Sequence, residues 1–352
     1  MRSFVTPSTF DPVPSAVLHW LRIIDQGQGR EQFYQRESKA VLDSLATRSR
    51  IESVIASNEI EGITAPRRRA ERVIDNQLAP RDRPEQELAG YRAALDDVYS
   101  NPHQAITLPR ILGWHRYLLQ ESRPDIAGRL KVNQNTVEDR SGEVRRKRFD
   151  PVSPAETESH LRELLERTQI AIQDQIHPVL VTAAFVLDLL VIHPFEDGNG
   201  RTARIATNAL LMRSDYTVGR YISLERQVEQ HRTRYYDTLG ASTLGWHTSE
   251  HSLWPWATYL SEMIANAYVD LDMRTNTLKT SSAQDLTSQW LSNIAPNSFT
   301  FAQACSALTG IAPGTIRSVL NQSRIAGALT LEGSGRGTRW VFLDRTKVPS
   351  SD

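Results

Sequence analysis

One stretch of the chain, residues 179–192, is apolar almost all round, with Asp188 its only charge. A helix of that kind is buried on every side. It is too short, and too quickly ended by Pro194, to cross a membrane. After a polar loop, Thr202–Met212 returns to helical spacing through Ile205, Ala209, Leu210 and Met212. Upstream, Ser15–Ile24 reads as a short helix that Gly27 and Gly29 break. Phe33–Glu59 reads as a long helical stretch through Val41, Leu42, Leu45, Ile51, Val54 and Ile55. Further helices are predicted over 67–78, 85–99, 108–119, 154–172, 227–239 and 254–267. Met1–Pro14 holds three prolines and reads as an extended arm.

Two regions break the helical pattern. In Lys131–Phe149 two short strand-like runs, 131–137 and 144–149, flank a Ser141-Gly142 turn, a hairpin that must lean on the helices. Asp270–Ser282 is a polar connector. Beyond it, three helices (284–294, 301–308, 313–326) precede two strands (328–331, 339–343) around Gly333-Ser334-Gly335-Arg336-Gly337. That order resembles a winged helix, with Thr315–Ser323 as its recognition helix and Arg317 and Arg324 exposed. The expected division is an N-terminal helical region (1–100), a core (101–270), a connector (271–282) and a winged-helix-like domain (283–352).

Composition changes this picture little. Lys plus Arg (41) equals Asp plus Glu (41), so no global charge points to nucleic acid or membrane. A single cysteine, Cys305, rules out an internal disulfide and fits a reducing compartment; its apolar neighbours suggest a buried, inert thiol. No signal peptide is evident, and a cytoplasmic protein is expected. From Thr280 onward six basic residues stand against four acidic ones, too weak an excess to decide for DNA.

The candidate chemistry sits in the loop after residue 192, His193-Pro194-Phe195-Glu196-Asp197-Gly198-Asn199-Gly200-Arg201, continuing to Thr202-Ala203-Arg204. Gly198-Asn199-Gly200 leads into a helix N-terminus, where free backbone N–H groups attract anions and glycine lets a phosphate approach. Arg201 and Arg204 share a helix face and suit a polyphosphate. Asp197 is a hard oxygen ligand placed for Mg²⁺ between phosphates. His193 can accept a proton near neutral pH. The bland alternative is a satisfied loop histidine beside solvated charges, and so many such residues in one turn favour chemistry.

At these residues the chain resembles the Fic family, whose signature is H-x-F-x-[D/E]-[A/G]-N-[G/K]-R with a second Arg beyond it; every position matches. The resemblance implies a mainly α, Fic-type helical core with a β-hairpin flap. It also implies transfer of AMP from ATP, with Mg²⁺, to a Ser, Thr or Tyr hydroxyl of a target protein. By that likeness His193 is the general base, Phe195 anchors the loop and Asp197 holds Mg²⁺. Gly198, Asn199, Gly200 and Arg201 would cradle the α- and β-phosphates, with Thr202 and Ala203 in the same ATP-binding turn. Arg204 would hold the γ-phosphate. Gly200, where some relatives have Lys and phosphorylate, leans toward adenylyl transfer. Ser57-x-x-x-Glu61-Gly62 resembles the family's inhibitory pattern, [S/T]-x-x-x-E-[G/N], so Glu61 is expected to pair with Arg204 and compete for the γ-phosphate site. The likeness covers roughly 51–268.

The resemblance also makes the hairpin a flap (131–149) that clamps the target segment by strand pairing. Arg145-Arg146-Lys147-Arg148 on it reads equally as an aggregation-blocking edge or as steering for an acidic target. Tyr236 is the candidate to border the adenine, and Tyr235 reads as core. His115 reads as structural. His247-x-x-Glu250-His251 echoes a zinc pattern but lacks a third ligand and a firm helix, so metal is not expected there. Self-modification, a homodimer and DNA binding through the C-terminal domain stay open; no membrane partner is expected. The rival readings are a de-AMPylase in which Glu61 orients water, and a nucleotide-sensing DNA-binding regulator.

Overall fold

The computed structural model describes residues 2–4, 10, 12–141, 144–280, 283–308, 311–333 and 338–349, and it leaves out the side chains of 137–148, 277–280, 283 and 293. The chain divides into two compact units, residues 1–28 with 49–268 and residues 29–48 with 269–352.

In the first unit, α1 (Ser15–Glu37) and α2 (Lys39–Ile60) begin the helical array. It continues with α3 (Arg67–Ile74), α4 (Arg83–Ser100), α5 (Leu108–Leu119), α6 (Pro154–Gln173), α7 (Pro178–Ile192) and α8 (Asn199–Arg213). Helices α9 (Leu224–Gln230), α10 (Arg232–Thr243) and α11 (Trp254–Thr280) complete it. The antiparallel hairpin β1 (Val137–Ser141) and β2 (Val144–Phe149) stands between α5 and α6. Helix starts follow local rules. Asp82 and Thr107 accept from Glu85 N and Arg110 N, and prolines occupy the first turns of α4, α5 and α7.

Helix α7 is the centre of the core: of its fifteen residues only Pro178 and Leu190 are not fully buried. Each large apolar side chain there contributes about 1.5–3 kcal/mol of burial. Its one charge is satisfied from afar. Asp188 accepts from Ser3 Oγ (2.6 Å), Ser3 N (3.2 Å) and Trp246 Nε1 (2.6 Å), and burial raises its carboxyl to about 6 against the pull of those bonds.

Several expectations change. Helix α1 runs straight through Gly27 and Gly29 to Glu37. A Cβ on Gly27 would lie 2.5 Å from the Tyr268 ring, so this glycine is a packing notch and not a helix stop. The break falls instead at Ser38, between α1 and α2. The expected N-terminal arm is docked over its described part: Ser3, Phe4 and Phe10 are buried because Asp188 and the Phe4–Phe10 contact supply partners. Strand β1 starts at Val137, not Lys131, since residues 131–135 spend their donors on α7 and the loop after it. The Ser141-Gly142 turn lies partly outside the described residues, and the Arg145–Arg148 side chains lie wholly outside them.

The second unit contains the last part of α1 and the first part of α2, the end of α11, and the C-terminal elements. The expected connector at 271–282 is helix as far as Thr280, with Leu271 and Thr275 buried one turn apart. Then come α12 (Ala283–Asn293), β3 (Ser298–Thr300), α13 (Phe301–Ala307), α14 (Pro313–Ile325), β4 (Leu329–Glu332) and β5 (Arg339–Phe342). The sheet is antiparallel in the order β3-β5-β4, one strand more than the sequence suggests, because the short Ser298–Thr300 run pairs with β5. Trp290, Leu291, Phe299, Ile316, Leu320 and Trp340 form its core, and Cys305 is only half-buried at the margin. Arg317 and Arg324 are exposed on α14, with Arg317 over the Phe301 ring. Residues 334–337 of the glycine run lie outside the described residues. Among the described residues no helix is long and apolar enough to cross a membrane.

Candidate active site

The site is the corner between α7 and α8. The chain turns out of α7 at His193, whose backbone is left-handed (φ 49°, ψ 61°). Its Nδ1 lies 3.2 Å from the Leu190 carbonyl, which can only accept, so the ring proton sits on Nδ1 and Nε2 keeps its lone pair. Burial, with a smaller push from Lys131, lowers the imidazole to about 4 against the opposite influence of the Leu190 hydrogen bond, Glu61 and Asp197. The ring is therefore neutral at pH 7, with Nε2 unprotonated.

The loop is fastened from below. Phe195 is fully buried and stacks on His115 (3.8 Å between centroids). His115 Nδ1 accepts from Gly128 N (3.0 Å), so its Nε2 donates to the Asp197 carbonyl (3.0 Å), and burial keeps this ring neutral too, at about 4. Gly198 caps α8 at φ 78°, a left-handed conformation that suits glycine. Asn199 does not reach outward as a phosphate ligand: its Oδ1 accepts from Phe195 N (2.9 Å) and its Nδ2 donates to Phe195 O (2.7 Å). Thr202 donates to Gly198 O from both Oγ1 (2.9 Å) and its backbone N (2.9 Å), and both Thr202 and Ala203 are buried, so the free first-turn amides are those of residues 199–201.

The two arginines have different fates. Arg204 donates from Nε to Ser57 Oγ (2.8 Å), and from Nη2 to Ser57 O (2.9 Å) and Glu61 Oε1 (2.7 Å). Glu61 stands one residue past α2, followed by Gly62 at φ 78°, so the helix end delivers the carboxylate. Gly200 makes room for it: a Cβ there would lie 2.4 Å from Glu61 Oε1. Burial disfavours the Arg204 charge, and Glu61 more than offsets this. Arg201, expected beside Arg204 on the phosphates, is instead buried against the fully buried Glu87 of α4, with Asn58 Oδ1 3.4 Å away. Glu87 also takes Arg83 Nε (2.6 Å), and Arg83 Nη2 lies 3.5 Å from the half-exposed Asp197 carboxylate. Glu87 and Asn58 are thus site residues that sequence reading misses. Arg83-x-x-x-Glu87 looks like an ordinary surface pair, and nothing local marks its carboxylate as buried.

The Asp197 carboxylate accepts from Gly198 N at Oδ1 (2.6 Å) and is half-exposed, a single carboxylate of the kind Mg²⁺ uses when phosphates and water complete its shell. Tyr236 is half-buried with Arg232 over its ring (5.8 Å), whereas Tyr235 is buried against Trp256 and Tyr259. His247 and His251 serve different partners, the Asp150 carbonyl and Ser3 Oγ.

Comparison with known proteins finds a family match over the stretch that contains this corner. Residues 105–211 match the Fic/DOC family. A protein adenylyltransferase fic-1 of Caenorhabditis elegans is 32% identical over 163 residues, covering 45% of this chain and 29% of that protein. The protein adenylyltransferase Fic of Aedes aegypti is 30% identical over 204 residues, covering 55% and 37%. The chain thus spans about a third of the length of these curated relatives. A Fic family protein from Desulfovibrio desulfuricans G20 superposes with a TM-score of 0.60 at 19% identity, over 94% of this chain and 96% of that one. Fic-1 from C. elegans gives 0.61 at 22% identity, over 80% and 83%. These likenesses establish the fold.

Proposed function

From the Fic/DOC domain that residues 105–211 of this chain form, we propose a protein adenylyltransferase held in an inhibited state by its own Glu61. The observation that carries the reading is the neutral His193 imidazole, with its Nε2 lone pair retained, beside the N-terminus of α8. A target hydroxyl gives its proton to Nε2, its oxygen attacks the α-phosphorus of ATP, and pyrophosphate leaves. The first-turn amides of α8 have no acceptor within the helix and suit the phosphates. Asp197 would hold Mg²⁺, which when bound neutralises phosphate charge. Positioning and charge neutralisation do most of the work. Arg204 suits the γ-phosphate and is engaged by Glu61, so ATP settles productively only when that carboxylate leaves. Tyr236 would border the adenine. The target segment would pair along β1–β2.

The test is protein labelling with ATP carrying the isotope at either the α- or the γ-phosphate. Label from the α position alone is expected. His193→Ala should lower it by about 10²–10⁴-fold, the usual contribution of a general base, with nucleotide binding retained. Label from the γ position, or a variant as active as the parent, would sink the reading. Because Glu61 is held by Arg204, removal of AMP with water oriented by Glu61 is the second reading, and loss of label from a pre-labelled target would favour it. For the C-terminal unit we propose a winged-helix arrangement, on its helix–strand–helix–helix–strand–strand order, with the exposed Arg317 and Arg324 as its nucleic-acid face. Retention of an Arg317→Glu, Arg324→Glu variant on duplex DNA equal to the parent's would remove the DNA role.

A further inference from the structure

The end of a helix leaves its last carbonyls without intrahelical donors. At the end of α7 each of them is taken, and the donors have a pattern. The Leu189 carbonyl accepts from His193 N (3.0 Å) and Leu190 from His193 Nδ1 (3.2 Å). Val191 accepts from Val152 N (3.4 Å). Ile192 accepts from Lys131 Nζ (3.0 Å), His193 from Asn135 Nδ2 (3.4 Å) and Pro194 from Lys131 N (2.9 Å). Phe195 accepts from Asn135 Nδ2 (2.8 Å) and Asn199 Nδ2 (2.7 Å). Four of these seven carbonyls thus receive a donor from residues 131 and 135, which lead into β1, and a fifth from residue 152, which follows β2. The two legs are also joined to each other, Gln134 Nε2 donating to the Pro151 carbonyl (3.1 Å). Lys131 Nζ bonds Asn135 Oδ1 (3.0 Å) as well, which fixes the amide with its Nδ2 toward the loop.

We infer that the two legs of the hairpin form a collar around residues 191–195, with Lys131 and Asn135 as positioning residues that hold His193 in place and transmit engagement of the hairpin to it. The inference rests on the adenylyltransferase reading for the identity of the reaction. Physically, a non-glycine residue in the left-handed region costs about 1–2 kcal/mol, and His193 is held there only if its surroundings determine the backbone. Lys131 and Asn135 are those surroundings. Lys131 is buried and buries its charge to do it, which lowers its amine to about 8. Its ammonium lies at the C-terminal end of α7, where a cation is favoured by the helix dipole. A segment paired along β1–β2 fixes the hairpin, and the legs carry that constraint to the carbonyls on either side of His193. A 1 Å misplacement of a reacting group costs about 10²-fold in rate, so small movements of the collar matter.

The experiment uses the full chain carrying Glu61→Gly, with Asn135→Ala, Lys131→Met or Lys131→Arg added. Adenylylation of a protein target is read as kcat and as KM for ATP, and hydrogen exchange is read at the amides of Lys131 and Phe195. Asn135→Ala and Lys131→Met should each lower kcat by about 10- to 100-fold, with KM for ATP within two-fold. The two amides should exchange faster while those within α7 stay protected. Lys131→Arg, which keeps the donors and the charge, should recover most of kcat. Unchanged kcat together with unchanged exchange would overturn the collar, as would a fall in kcat that Lys131→Arg fails to rescue and that comes with general loss of protection. If the Glu61→Gly parent transfers no AMP at all, the reaction assigned above fails, while the exchange measurement still decides whether Lys131 and Asn135 hold the loop.

Discussion

Arg201 and Arg204 stand one turn apart on α8, and they meet two different regions of the protein. On the α4 side, Arg201 and Glu87 are both fully buried, with side-chain exposures of 1% and 0%. At the end of α2, Arg204 is buried but its partner Glu61 is 31% exposed. The chemistry of the two pairs is the same, a guanidinium and a carboxylate. Their release differs. Moving Glu87 away from Arg201 would leave the buried guanidinium only Asp197 at 3.5 Å and Asn58, which several kcal/mol oppose. Moving Glu61 away from Arg204 exposes the carboxylate to water, and the last turn of a helix is an inexpensive thing to move. On the proposed function, the first pair stays closed and the second is the one that opens. The difference lies in burial and in the rigidity of the element behind each carboxylate, Glu87 in the second turn of an eighteen-residue helix and Glu61 just past a helix end.

The comparison breaks most visibly at Glu87. Glu87→Ala strands Arg201 in the core and should cost about 3–5 kcal/mol of stability, read as a large fall in the urea midpoint. Glu61→Gly should cost less, because Glu61 is partly exposed and Arg204 keeps its two hydrogen bonds to Ser57 when the carboxylate is gone. Comparable losses in the two variants would show that the two pairs are equally fixed.

In activity the order reverses. Glu61→Gly should raise adenylylation, self-labelling included, by about 10-fold or more, given that a freed charge partner for a phosphate is worth a charge-assisted hydrogen bond of roughly 1.5–3 kcal/mol. Adding Arg204→Ala should remove the gain, and a double variant that stays hyperactive would show that the pair is not the brake. Gly200→Ala is the gentler form of this experiment. Its Cβ would collide with Glu61 Oε1, a flexible side-chain end, and would crowd Arg204 Nη1 at 3.2 Å. A smaller activation than that of Glu61→Gly is expected, and none at all would mean that the carboxylate has other places to rest.

The smallest effects are those of pH on stability. His115 and His193 titrate at about 4 in the folded chain and near 6.5 when unfolded. Their contribution is present above pH 6.5. It is lost as pH falls through 4, because the unfolded chain binds protons that the folded one refuses. Asp188, raised to about 6, works the other way: stability is gained as pH falls from 6 toward its unfolded value of about 3.8. Two groups against one predict a net decline below pH 6.5 in urea unfolding. Asp188→Asn should steepen that decline by removing the opposing group, and a shallower slope in that variant would contradict the assignment.

Much of the site was legible in the residues alone. The buried helix before His193 and the glycine-led start of α8 follow from short-range rules, apolar periodicity and helix-end chemistry, whereas the pairing of Glu61 with Arg204, 143 positions apart, was expected only from the resemblance to the Fic family. What only the tertiary structure decided are matters of distant partnership. Arg201 sits 114 positions from Glu87, Asp188 is 185 from Ser3, and Asn135 is 60 from the Phe195 carbonyl it holds. Gly27 looked like a helix breaker and is a helix residue, because the Tyr268 ring needs the space a side chain would fill. Asn199 looked like a phosphate ligand and knits its own loop, because Phe195 leaves backbone groups for it to satisfy. Local sequence sets which backbone states are favourable within a few residues. Which buried charge meets which, and which glycine is a notch, depends on surfaces that exist only after remote segments have packed.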